Sequence, residues 1–120
     1  VPLTILWRPE RGRLMANYLL TYVGLTHQDS EETEEAGKAE MEAWMAWFGG
    51  LGESVVDTGN PTGLSAAMSP DGTVGSASAG VTGYSVVSAD SLAAAVEITR
   101  GCPHLAAGGR VEVYEIMDVM

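Results

Sequence analysis

The chain has 120 residues, 46% of them hydrophobic, which is enough apolar material for one contiguous core and too little for two. Six basic against 16 acidic residues leave a net charge of −10, and residues 15–120 alone hold 3 basic and 15 acidic groups, a surface that repels phosphate backbones and anionic headgroups. Nucleic acid and membranes are therefore excluded as expected partners. The lone cysteine, Cys102, permits no intrachain disulfide, and no apolar run approaches the roughly 20 residues of a bilayer span, so the expectation is a soluble, cytoplasmic protein.

Residues 1–14 carry Arg8, Arg11 and Arg13 but are broken by Pro2 and Pro9, and they lack the apolar stretch and cleavage site of a secretory signal. They read as an extension outside a core domain spanning 15–120. Tyr18–Val23 is predicted as the first strand, ending at Gly24. From Asp29 to Glu42 seven acidic residues face only Lys38, and the run leads into an apolar stripe of Met41, Trp44, Met45, Phe48 and Leu51 at helical spacing. Ser30 or Thr33 can cap this helix, the early glutamates suit its positive end, and Gly49, Gly50 or Gly52 can stop it.

Ser54–Asp57 is predicted as a short strand, and Gly59-Asn60-Pro61-Thr62-Gly63 as a bend that breaks the ladder. Leu64–Met68 and Thr73–Ala77 flank Ser69-Pro70-Asp71-Gly72, which is hairpin turn chemistry. This hairpin is predicted to merge into a third strand, Val81–Ser88, with Tyr84 and Val86 on one face and Val81, Ser85 and Val87 on the other. Ser88-Ala89-Asp90-Ser91 caps a second helix with a stripe of Leu92, Ala95, Val96 and Thr99, stopped by Gly101 and Pro103. Val111–Ile116 is the last strand. The order is βαββαβ, a ferredoxin-like α+β fold with one antiparallel sheet and two helices on one face. The uncovered face predicts pairing with a second copy, a homodimer.

Several stretches together resemble the YCII-related, or DGPF-type, domains: Met15–Leu20, the helix Met41–Gly52, Thr58-Gly59-Asn60-Pro61, Gly83–Val87, and a tail containing Gly101-Cys102-Pro103-His104 and Gly108–Val113. The resemblance spans nearly all of 15–120 and implies a dimeric α+β barrel with a pocket between sheet and helices in each subunit. It also implies an acid/base pair in some members, a histidine on the first helix and an aspartate before a proline after the second, and in one branch the removal of chloride from a chlorinated hydroquinone. Here the histidine position falls near Met41, flanked by Glu40 and Glu42, the aspartate position holds Cys102, and the Asp-Gly-Pro-Phe stretch is replaced by Ser76–Gly80.

His104 reads first as a cap or surface histidine and second as a proton-transfer or ligand-contact group. Cys102 reads first as a buried small hydrophobe and second as a nucleophile. His27 with Asp29 and Glu31 would need a further ligand to hold a metal, so no metal or other cofactor is assigned. The spacing of Trp44 and Phe48 suits core packing, whereas Trp47 lies off the stripe and is placed in a pocket or subunit interface. The favoured reading is a dimeric small-molecule-binding or regulatory module whose ligand meets Met41, Trp44, Trp47, Tyr84 and His104. The alternative is a lyase- or dehydrochlorinase-like enzyme using substitute groups among His104, Cys102, Asp57 and Glu40.

Overall fold

The computed structural model describes residues 15–25 and 33–118. Strand β1 (Ala16–Val23) is followed by helix α1 (Glu34–Leu51) and the edge strand β2 (Val55–Pro61), then by two short strands, β3 (Ala67–Met68) and β4 (Val74–Gly75). Strand β5 (Val81–Ala89), helices α2 (Leu92–Ile98) and α3 (Pro103–Ala106), and strand β6 (Arg110–Ile116) complete the described chain. The main sheet has the order β2-β5-β1-β6 and every pair in it is antiparallel, as expected for a ferredoxin-like α+β fold. No described helix is long and apolar enough to cross a membrane.

The two-residue pleat decides what is buried. Opposite Tyr18, Leu20 and Tyr22 on β1 stand Val87, Ser85 and Gly83 on β5, and all six are buried on the face that the helices cover. Ala95 of α2 and Cys102 join them, and Trp44, Trp47, Leu51 and Ile98 pack against this core. The intervening residues Leu19, Thr21, Val86 and Tyr84 lie on the other face with Glu112, Tyr114 and Ile116 of β6.

Local chemistry accounts for most of the boundaries. Thr33 caps α1, its Oγ1 accepting a hydrogen bond from the Ala36 amide at 3.0 Å, while Ser30 lies outside the described residues. The helix runs through Gly49 and Gly50 and stops at Gly52, whose φ of 58° is the left-handed conformation that glycine adopts freely. Ser91 caps α2 in the same way, accepting from the Ala94 amide at 3.1 Å.

Four expectations require correction. Pro61 and Gly59 do not break the ladder: β2 continues through them as a bulged edge strand, where a missing amide donor and an irregular register are tolerated. The hairpin turn forms, with the Gly72 amide donating to Ser69 O at 2.8 Å, but its strands shrink to two residues each and make a separate two-stranded sheet instead of merging into β5. Small side chains in this exposed stretch give it nothing to bury. The predicted stripe on α2 is rotated, because seven residues present only a narrow edge to the sheet: Ala95, Ile98 and Thr99 turn inward, and Leu92 and Val96 remain exposed. Finally, Pro103 opens a helix as well as closing one. Its fixed φ and missing amide suit the first helical position, and α3 results.

Candidate functional site

A half-open cavity of about 980 Å³ lies between α1 and the sheet, where the strands β1, β5 and β2 run beneath the helix. Helix α1 stands off the sheet, and no residue of it is fully buried. Met41 and Met45 are 60% and 65% exposed and form the cavity's helix wall together with Trp44 and Phe48. Across from them lie Tyr22 and Ser85, Thr58–Pro61 of β2, and His104 from α3.

The aromatic groups hold one another in fixed orientations. Tyr22 meets Trp44 edge to face, with centroids 5.0 Å apart and planes at 74°, and the Tyr22 and His104 rings lie 5.6 Å apart. Trp44 also contacts Phe48 at 5.9 Å. These geometries follow from ring quadrupoles that favour tilted and edge-on contacts.

Beneath the rings runs a chain of hydroxyls. The Tyr22 hydroxyl donates to Ser85 Oγ at 2.7 Å, and Ser85 Oγ donates to the Thr58 carbonyl at 2.6 Å. Burial raises the Tyr22 phenol well above its usual range, because the phenolate would lose water, and the hydrogen bond with Ser85 offsets this only in part. His104 is only 8% exposed, so the cap-or-surface reading is corrected: its Nε2 sits 2.9 Å from the Val23 carbonyl, which can only accept, so Nε2 carries the proton. Gly109 leaves room for this ring, since a Cβ there would lie 2.6 Å from His104 Cδ2 and closer still to Nε2.

The other candidates separate. Glu40 borders the cavity at its exposed rim. Asp57 does not border it; its Oδ1 accepts from the Gly59 amide at 2.8 Å, a turn contact within the bulge of β2. Cys102 is buried in the core, where desolvation pushes its thiol up and the amides of His104 and Leu105 pull it back only partly. Trp47 packs against the end of α2, its Nε1 donating to Ile98 O at 3.3 Å, and it borders a shallow open groove with Pro103 and Gly101 in place of the main cavity. Tyr84 borders the cavity along its strand, but the alternation of β5 puts its side chain on the face opposite Ser85. His27, Asp29 and Glu31 lie outside the described residues. Among the described residues, no three metal-ligating side chains converge.

A sequence comparison adds the family: the family model of the YCII-related domain matches residues 21–120. The chain belongs to the YCII-related family. No curated relative matches it. In this YCII-related protein the polar groups gathered at the cavity, Tyr22, Ser85 and His104, sit on three different elements. The sequence pattern pointed to His104 alone. The signal for the other two was the pleat, which aims Tyr22 and Ser85 the same way as Leu20 and Val87.

Proposed function

We propose that this YCII-related protein is a homodimeric, non-catalytic module that binds a small organic ligand in the cavity under α1, in the cytoplasm. The observation that carries this reading is the character of the walls. Aromatic and thioether side chains dominate, a few polar groups sit at one end, and this is the usual make-up of sites that bind small organic molecules.

Proton-transfer catalysis has less support. Among the described residues His104 is paired with no carboxylate, Asp57 is engaged with its own strand, and the thiol of Cys102 is raised and buried. The enzyme alternative would rest on His104 and Glu40 alone. A second copy is supported by the uncovered sheet face, where Leu19, Val86, Tyr114 and Ile116 lie together.

Mass spectrometry of metabolites that co-purify with the protein, followed by a thermal-shift titration of each, tests the ligand reading: a true ligand raises the midpoint by linkage. Turnover of that compound by the protein alone would replace the binding reading with the enzymatic one. Sedimentation equilibrium at micromolar concentration tests the dimer, and a mass of 12.6 kDa would refute it.

A further inference from the structure

The hydrogens of the buried polar groups at the cavity are all committed to the protein itself. The Tyr22 O–H points to Ser85 Oγ, the Ser85 O–H points to Thr58 O, and the His104 Nε2–H points to Val23 O. Each acceptor at the end of these bonds is a carbonyl or an already donating hydroxyl, so none of the bonds can reverse without orphaning a buried group. Whatever these side chains turn toward the cavity is therefore an acceptor edge: the second face of the Tyr22 hydroxyl oxygen, or Nδ1 of the imidazole whose Nε2–H is bonded to Val23 O. Nδ1 has no hydrogen-bond partner among the described residues, and His104 borders the cavity.

Charge points the same way. Glu40 is the one acidic side chain among the described residues at the cavity, and no described lysine or arginine borders it. Two of the three described cations are engaged elsewhere, Arg100 with Glu97 and Arg110 with Glu112. An anionic ligand would find only neutral donors such as the Asn60 amide, beside the Glu40 carboxylate and with no balancing cation among the described residues, in a protein of net charge −10.

Resting on the binding reading above, we infer that the ligand is an apolar or aromatic body carrying a hydrogen-bond-donating cationic group, a primary or secondary ammonium. The body lies against Trp44, Phe48 and the Met41 and Met45 thioethers. The ammonium donates to the free lone pair of the Tyr22 hydroxyl and to His104 Nδ1, with Glu40 at the rim favouring its entry.

Isothermal titration calorimetry with four phenylpropyl probes tests this: 3-phenylpropylamine, 3-phenylpropanol, 3-phenylpropyl methyl ether and 3-phenylpropionate. The amine is expected to bind about tenfold more tightly than the ether or the carboxylate, with the alcohol between them. Glu40→Gln is expected to weaken the amine about threefold and to leave the alcohol unchanged. If the ether or the carboxylate matches the amine, the donor-only class is wrong while the cavity remains a binding site. If the alcohol equals the amine in the unaltered protein, the cationic class is wrong. If none of the four binds, the cavity reading itself fails and the inference falls with it.

Discussion

Gly109→Ala offers the sharpest test of how the site is held, because the added methyl has one defined obstacle. Its Cβ would lie 2.6 Å from His104 Cδ2 and 2.7 Å from Cε1, well inside van der Waals contact, so the ring must move. Moving it breaks the 2.9 Å bond from Nε2 to Val23 O and disturbs the Tyr22 contact. The lost bond leaves a buried carbonyl without its donor, worth about 1–3 kcal/mol, and overpacking adds about 1–3 kcal/mol, so a total loss of about 2–5 kcal/mol is expected in urea denaturation. Gly108→Ala is the control: nothing lies near its Cβ, and only the φ of 104° opposes it, for about 1–2 kcal/mol. The double variant Gly109→Ala/His104→Ala isolates the cause. With the ring gone, the added methyl meets nothing and the two changes are strongly non-additive, the double variant being no less stable than His104→Ala alone. An additive result, in which the alanine at 109 is equally destabilising with or without the imidazole, would refute the packing argument.

Four further outcomes follow from the same structure. Native Tyr22 holds its proton above the usual phenol value near 10, so below that pH the group is neutral in both folded and unfolded chains and contributes no pH dependence; above it the unfolded chain ionises first, and stability falls as pH rises by up to about 1.4 kcal/mol per unit. Tyr22→Phe is expected to remove that share of the alkaline slope at a loss of about 1 kcal/mol near neutrality, and an unchanged slope in urea melts at pH 10–11 would contradict the assignment. Cys102 is buried with a raised thiol, so a thiol reagent should modify it only at the rate of unfolding; modification of native protein as fast as a free peptide would show that the thiol is accessible. Gly59→Ala combines a φ of 77° with a Cβ 2.6 Å from the Tyr84 carbonyl carbon, so β2 should detach from β5 and amide exchange at Tyr84 and Val86 should accelerate by orders of magnitude; native-like protection there would overturn the register. Ile116→Asp, on the uncovered face and 42% exposed, should convert a dimer to monomer in sedimentation with little change in the far-ultraviolet spectrum, and persistence of the dimer would place the interface elsewhere.

Much of the architecture was legible because it is written in local period and turn chemistry. Tyr18, Leu20 and Tyr22 alternate, Thr33 and Ser91 have the side-chain oxygens that caps need, and Pro70-Asp71-Gly72 can do little except turn. Asp57 and Trp47 lie away from the main cavity for a related reason. An aspartate two residues before a glycine can bond its own strand's backbone or reach into a cleft, and a tryptophan at a helix's flank can meet a neighbouring helix or a ligand, so both choices depend on what lies beside them.

The amino-acid sequence by itself determined the order of the four main strands and the two longer helices, the capped starts of those helices, the acidic character and the family, since each depends on residues near one another along the chain. Only the tertiary structure decided the site. His104 and Val23 are 81 residues apart and Tyr22 and Ser85 are 63 apart, and they meet because the sheet places β1 beside β5 and packs α3 over the end of β1. The cavity likewise exists because α1 is held off the sheet by Trp44, Trp47 and Leu51, so that Met41 and Met45, apolar and at helical spacing, face an open space and not a packed surface. Hydrophobic period fixes which way a side chain points; how far away the opposing surface lies is set by the packing of the whole molecule.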